Sequence, residues 1–175
     1  MEPTAAEILD GYGRACDQLE EFLVEAGPDG LSRGSSGTRW SNEQLLFHMV
    51  FGYMVVRALL PLVRVVARLP VPARRAFAAA LDASAAPFDW VNYWGSCAAA
   101  LVYGRRRMAR KLRSTTAALA RSLRGEDELS LRRWMPFPRR WDPFFTDHMT
   151  LRDVYAYPTR HFDFHARQLT LRAPE

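Results

Sequence analysis

The 175-residue chain has only two cysteines, Cys16 and Cys97, and a single lysine, Lys111. Two cysteines that form no C-x-x-C pair exclude a disulfide framework. Both lie in apolar stretches, where a free cysteine usually packs as a small hydrophobic residue, and a reducing cytoplasm is the expected compartment. Because 23 of the 24 basic residues are arginines, the net charge of +5 indicates the codon usage of a GC-rich genome and is weak evidence for nucleic-acid binding.

The chain also lacks a long uninterrupted apolar run. Its most apolar stretch, residues 45–69, is interrupted by Arg57, Arg64 and Arg68, whereas a membrane-spanning helix needs about 20 mostly apolar residues with few charges. The first residues show no basic stretch followed by an apolar core, so no signal peptide is expected. We therefore expect a cytoplasmic protein without a membrane partner.

The composition is that of one globular domain. Hydrophobic residues make up 49% of the chain and charged residues 25%, as in ordinary soluble proteins, and 175 residues are enough for one sizeable core. We expect a single domain over residues 1–175. Capping boxes, in which a Ser or Thr precedes an acidic or amide residue by three positions, mark three helix starts: Thr4 with Glu7, Ser41 with Gln44, and Thr150 with Asp153.

Apolar residues recur at the helical period after each of these starts. Four long helices around one core predict an all-α fold, a four-helix bundle with a short extra helical segment between helices 2 and 3. We expect loops at residues 27–38 and 124–147 and a turn at residues 83–87. The predicted helices run from Thr4 to about Ala26, from Asn42 to about Arg68, from Ala73 to Leu81 (the short segment), from Asp89 to Leu123, and from Thr150 to about Leu171.

Two of the four histidines share a face of the last predicted helix. His161 and His165 are four residues apart, so their side chains lie one turn apart on the same side. Val154 and Leu169 belong to that side, which therefore faces the core, where an unpaired imidazole would be costly. This spacing suits two imidazoles that chelate one metal ion. The residues alone leave open the alternative that these are ordinary core histidines.

A third histidine, His48, lies on the second predicted helix, on a face with Leu45, Phe51 and Val55. Gly52 follows one turn later and costs about 1 kcal/mol in a helix interior relative to Ala. Such a glycine predicts either open space for a ligand beside His48 or tight helix packing. Spacing alone does not bring His48 to the other pair.

Two segments together resemble the DinB-like family of metal-binding four-helix bundles. They are residues 40–48, which begin with Trp-Ser and end with His48, and residues 157–169, which contain the pattern H-x-x-x-H-x-x-Q-L. In that family, both segments supply a three-histidine metal site. The resemblance implies that His48, His161 and His165 bind one divalent transition metal, with zinc or nickel preferred.

The family also implies a function. Its characterised members are mostly thiol-dependent transferases or isomerases, so the resemblance implies that the metal activates a low-molecular-weight thiol of the mycothiol type for attack on a small electrophilic substrate. Three protein ligands would leave one coordination position open. The alternatives are a metal-dependent hydrolase and a non-catalytic metal-binding or stress-response bundle, and a homodimer is a further expectation.

Other polar residues are candidates for the pocket, but no protein nucleophile is evident. Tyr157 lies one turn before His161, and Asn92 and Ser96 are four residues apart on the third predicted helix. Each is alternatively a core hydrogen-bonding residue. His148 is a candidate for the pocket, for a position behind the ligands, or for the surface. Gly52 completes the set.

The basic run from Arg105 to Arg113 is the remaining feature of note. It could bind a phosphate-rich partner. As one end of a long helix it is better explained as a solvated face, so we expect no nucleic-acid partner.

Overall fold

The computed structural model describes residues 2–84, 90, 93–98 and 102–172. Within these residues the fold is all-α with one short strand pair, as predicted. β1 (Trp134–Met135) and β2 (Met149–Thr150) pair antiparallel. Residues 93–98 are also helical. The named helices are α1 (Ala5–Glu25), α2 (Gly27–Ser32), α3 (Asn42–Val66), α4 (Val71–Ala83), α5 (Arg105–Arg124), α6 (Glu128–Leu131) and α7 (Leu151–Ala166).

All three predicted capping boxes form. The hydroxyls of Thr4, Ser41 and Thr150 each accept a hydrogen bond from the backbone three residues later, and the side chain at that later position bonds back to the cap. These reciprocal bonds satisfy backbone N–H groups that a helix start otherwise leaves exposed. The starts of α1, α3 and α7 are therefore encoded locally.

The end of α7 lies earlier than the predicted Leu171. After Ala166 the chain leaves the helix and runs beside the start of α3. There Asn42 donates from Nδ2 to the Thr170 carbonyl at 3.1 Å and accepts from the Thr170 backbone N–H at 3.1 Å. Because the Thr170 N–H is bonded to a side chain of another helix, it does not continue the α7 hydrogen-bond ladder.

Two predicted loops contain regular structure. Residues 27–38 begin with α2, in which a proline occupies the first turn, where its missing N–H is not needed, and Leu31 is buried. Residues 124–147 contain α6 and β1. Asp127 caps α6 by accepting a hydrogen bond from the Ser130 backbone at 2.6 Å. The prediction of irregular structure was wrong at these places because the segments are short and are stabilised by their neighbours.

The predicted helix from Asp89 to Leu123 is interrupted. Gly104 is the N-cap of α5 and has an extended backbone, with φ −64° and ψ 167°, which no residue inside an α-helix adopts. The helical residues 93–98 and α5 are therefore separate. The short segment predicted from Ala73 to Leu81 is α4, two residues longer at each end.

The core lies between the long helices. α1 and α3 each pack against both α5 and α7, and the α3–α7 contact is the most extensive. Leu19 of α1, Leu46 of α3, Leu112 of α5 and Phe162 of α7 are fully buried there. This packing sets α3 beside α7, the two helices that carry the three histidines of interest.

One helix in the described part of the chain, α3, is long and apolar enough to cross a membrane, with a mean hydropathy of 1.8 in its most apolar window. Core helices of soluble proteins have the same length and composition. In this structure, α3 packs against α5 and α7, and its residues from Leu45 to Val50 are all buried.

Candidate metal centre

Three histidines meet between α3 and α7. His48 and His161 are buried and His165 is half-buried, and one ring nitrogen from each lies within 4.8 Å of the others. Nε2 of His161 is 3.1 Å from Nε2 of His48. The structure thus brings together the three residues that the sequence had placed on two separate helices.

The spacing of these nitrogens suits a single ion. Zinc binds imidazole at about 2.0–2.1 Å, which in tetrahedral geometry separates two ligand nitrogens by about 3.3 Å. The His48–His161 pair is close to that separation at 3.1 Å, and the nitrogen of His165 lies within 4.8 Å of both. Imidazole nitrogens suit zinc, nickel, copper or iron(II) and not magnesium or calcium. The three residues could therefore hold one transition-metal ion.

Two of the three rings, those of His165 and His48, have a polar contact at the nitrogen that faces away from the cluster. Nδ1–H of His165 donates to Oε1 of Gln168 at 2.6 Å, which leaves Nε2 of His165 as its lone-pair nitrogen. Ser96, a buried pocket candidate, has its hydroxyl 3.5 Å from Nδ1 of His48. Such contacts to the far nitrogen of a histidine are typical of metal ligands, because they fix both ring tautomer and direction.

Burial keeps the rings of His161 and His165 neutral. It lowers the pKa of His161 well below its ordinary value, and the neighbouring His48 and His165 lower it further. The pKa of His165 is also lowered by burial, against the opposing effects of Gln168 and Asp142. Neutral imidazoles have the lone pairs that a metal requires, and protons compete less for them.

Gly52 makes room for the His161 ring. A Cβ atom at position 52 would lie 2.9 Å from Nδ1 of His161, closer than real contacts allow. Of the two explanations for this glycine, close packing therefore applies, and the packed group is an imidazole from α7. Nδ1 of His161 is buried there without a hydrogen-bond partner, which is a rare and costly state for a polar atom.

Asp142 is the functional residue that sequence reasoning missed. It is buried, and its Oδ2 lies 3.8 Å from Nε2 of His161. The Tyr157 hydroxyl donates to the same oxygen at 2.8 Å, and the Phe144 backbone N–H donates to Oδ1 at 2.9 Å. Burial raises the pKa of the Asp142 carboxyl, against the lowering effect of these bonds. Helical spacing carries no signal for this residue because its position depends on the path of residues 136–148.

The aromatic residue before α3 also supports the cluster. Trp40 stacks on the His48 ring, with 4.4 Å between ring centroids and an interplanar angle of 30°, and it meets the His165 ring edge-on. The Trp-Ser pair that opens α3 therefore supplies both a helix cap and a wall of the site.

The other candidates have different outcomes. Tyr157 lines the cavity described below and contacts the site through Asp142. His148 is exposed and stacks on Trp134 at 4.5 Å, so it belongs to the surface. Asn92 lies outside the described residues.

A cavity of about 640 Å³ opens beside the histidines. Its walls come from α3, α4, the segment between β1 and β2, and α7. Among the residues that the structure describes, the ionisable groups in the wall are the three histidines, Asp142 and Tyr157, and these cluster together. Among the apolar residues of the wall are Phe51, Val55, Leu59, Leu62, Phe77, Leu81, Met135, Phe137, Phe145 and Phe164.

Comparison with protein-family models, with curated proteins and with solved structures finds no match to the chain. The DinB-like resemblance therefore rests on residues 40–48 and 157–169 alone. What characterises this chain is its own geometry: three imidazoles and one carboxylate at the wall of an apolar cavity.

Proposed function

We propose that the chain is a DinB-like four-helix bundle whose His48, His161 and His165 hold one zinc or nickel ion. We propose further that it is an enzyme, a transferase that joins a small cofactor thiol of the mycothiol type to an electrophilic substrate. The observation that carries the proposal is the convergence of three buried or half-buried imidazoles beside a cavity of about 640 Å³. A purely structural ion would not need such a cavity.

In this proposal, different residues position the metal ligands and accept a proton. A divalent ion held there would lower the pKa of a bound thiol or water. Gln168 orients His165, and Gly52 admits His161. Asp142 is placed to accept a proton at Oδ2, where the Tyr157 hydroxyl holds its carboxylate in position.

A second candidate is a metal-dependent hydrolase. Asp142 favours it, because a carboxylate beside a metal ion is a suitable general base for water. The transferase and the hydrolase would use the same metal and cavity but different nucleophiles. A requirement for a thiol therefore distinguishes them.

The experiment measures thiol consumption by the metal-loaded protein with a panel of thiols, mycothiol first, against standard electrophiles. We expect turnover that disappears with a chelator and returns with zinc or nickel. His148→Ala, which alters an exposed histidine outside the cluster, should retain it. Turnover without any thiol would favour the hydrolase, and no turnover of either kind at full metal loading would contradict both.

We propose a cytoplasmic location, which the two isolated cysteines favour, a homodimer, and no nucleic-acid partner. The last point is supported by the surroundings of the run from Arg105 to Arg113. Met108 and Leu112 of this run are fully buried, and Arg113 pairs with Glu20 of α1 at 2.7 Å. The run therefore belongs to a packed helix, and part of its positive charge is neutralised by Glu20 of α1.

A further inference from the structure

The cavity wall shows which chemical class of molecule it accepts. Much of its apolar part comes from two helices and one loop: Phe51, Val55 and Leu59 from α3, Phe77 from α4, and Phe137 from the segment between the strands. The volume of about 640 Å³ lies within the range of pockets that enclose a small organic molecule, about 300–1,000 Å³. An aromatic or branched aliphatic group would replace water along this wall.

The charged residues of the wall also restrict which ligands the cavity accepts. Although the chain has 24 arginines and lysines, none is among the described residues that line the cavity. On α3, Arg57 points to solvent and Arg64 pairs with Glu126. The one carboxylate of the described wall is Asp142, so an anionic ligand would meet no cation from these side chains.

The cavity meets solvent along one edge of α3. Leu59 and Leu62 both line it and are 42% and 45% exposed. They are three residues apart and so lie on one face of the helix. A ligand entering past them crosses an apolar rim before it reaches the histidines.

We infer that the substrate of this site has an uncharged, apolar body, with no phosphate or carboxylate group on the part that lies away from the histidines. The word substrate rests on the proposed function, whereas the binding preference does not. The apolar body lies against α3, α4 and Phe137, and its reactive atom faces the histidines and Asp142.

The test uses two fluorescent probes with the same rings, neutral N-phenyl-1-naphthylamine and its sulfonated form, 1-anilinonaphthalene-8-sulfonate. Both are titrated into the full chain after chelator treatment, so that metal does not contribute. We expect the neutral probe to bind at least tenfold more tightly. Equal affinity, or tighter binding of the sulfonate, would overturn the inference.

Two variants locate the binding. Leu62→Arg places a cation at the rim and should weaken the neutral probe about tenfold while it improves binding of the sulfonate. Leu129→Arg changes a leucine of α6 that is 75% exposed and is not part of the described cavity wall, and it should leave both affinities unchanged. If Leu62→Arg unfolds by circular dichroism, Leu59→Gln replaces it. Neutral-probe binding that neither cavity variant alters would place the probe elsewhere and contradict the inference.

A second copy of the chain is the competing occupant of this apolar rim. Analytical ultracentrifugation measures dimer formation. If the affinity for the neutral probe decreases as the protein concentration rises and dimers form, the rim is an interface and the inference is wrong. Failure of the proposed function is distinguishable, because it removes thiol turnover and leaves the probe preference intact.

Discussion

Two polar clusters lie along α3 and α7, one near each end of the pair, and the first also includes Ser122 of α5. In the first, Arg64 of α3 donates from Nε to Glu126 at 2.7 Å and from its terminal nitrogen to Ser122 at 2.6 Å and to the Tyr155 hydroxyl at 2.9 Å. In the second, His48, His161 and His165 bring ring nitrogens together beside Asp142.

The clusters differ in how their polar atoms are satisfied. Arg64 and Glu126 neutralise each other, and the hydroxyl of Tyr155 bonds to both Ser122 and Glu126. In the histidine cluster, Nε2 of His161 faces Nε2 of His48 at 3.1 Å, and burial lowers the pKa of His161 well below its ordinary value. The first arrangement pairs opposite charges and stabilises the fold, whereas the second gathers lone-pair nitrogens that a bound cation would stabilise. The histidine cluster therefore indicates a binding site because its groups have the same chemistry and do not neutralise one another.

The largest expected effect is on metal content. His161→Ala removes the most buried ligand of the three and should reduce bound metal from one equivalent to none, as measured by elemental analysis after gel filtration. His148→Ala, the exposed-histidine control, should keep one equivalent. If a variant with alanine at all three positions 48, 161 and 165 retains stoichiometric zinc or nickel, the site is elsewhere.

At the Arg64 cluster we expect the opposite result, a loss of stability without a loss of metal. Arg64→Met leaves Glu126, whose side chain is only 9% exposed, without its ionic partner and with only the Tyr155 hydroxyl, and should lower the free energy of unfolding by about 1–3 kcal/mol. Urea denaturation measures this. Arg57→Met, at an exposed position of the same helix, should change it by less than about 0.5 kcal/mol. Metal content should be unaffected by both, and loss of metal in Arg64→Met would show that the clusters are coupled.

A smaller change is expected at Asp142. Asp142→Asn keeps the side-chain size and removes the negative charge 3.8 Å from the His161 nitrogen, so it should weaken metal binding about tenfold, measured by competition with a chromophoric chelator. Asp147→Asn is the matched control, because Asp147 is exposed and pairs with Arg139. Equal metal affinity of the wild type and Asp142→Asn would exclude Asp142 from the centre.

The smallest effect separates stability from metal binding. Gly52→Ala gains up to about 1 kcal/mol of helix propensity, but its Cβ would lie 2.9 Å from Nδ1 of His161 and must displace the ring. The net gain in stability should therefore be smaller, and metal affinity should fall by less than in Asp142→Asn. Gly13→Ala in α1, where an added Cβ meets nothing within 4 Å, should gain the full helix propensity and keep the affinity. Unchanged affinity in Gly52→Ala would mean that the ring adjusts freely.

What the sequence could predict was local. The capping boxes at Thr4, Ser41 and Thr150 involve residues three positions apart, and the His161–His165 pair spans one turn, so periodicity was enough to place them. Asp142 was missed because its distance to His161 depends on how residues 136–148 fold back on α7. The extended backbone at Gly104 was not predicted for a related reason. A single glycine is compatible with a continuous helix, and the sequence does not show how the surrounding helices pack at this point.

The tail after α7 has a consequence for measuring the site. The side chain of Gln168 accepts a hydrogen bond from Nδ1 of His165. The backbone carbonyl of Gln168 accepts from the Ser36 backbone N–H at 2.8 Å, and the Thr170 backbone N–H donates to Asn42. A ligand that locks the His165 ring therefore also holds the tail against the start of α3. Hydrogen–deuterium exchange at the Thr170 amide should slow when metal is added, so this one amide near the end of the described chain reports whether the centre is filled.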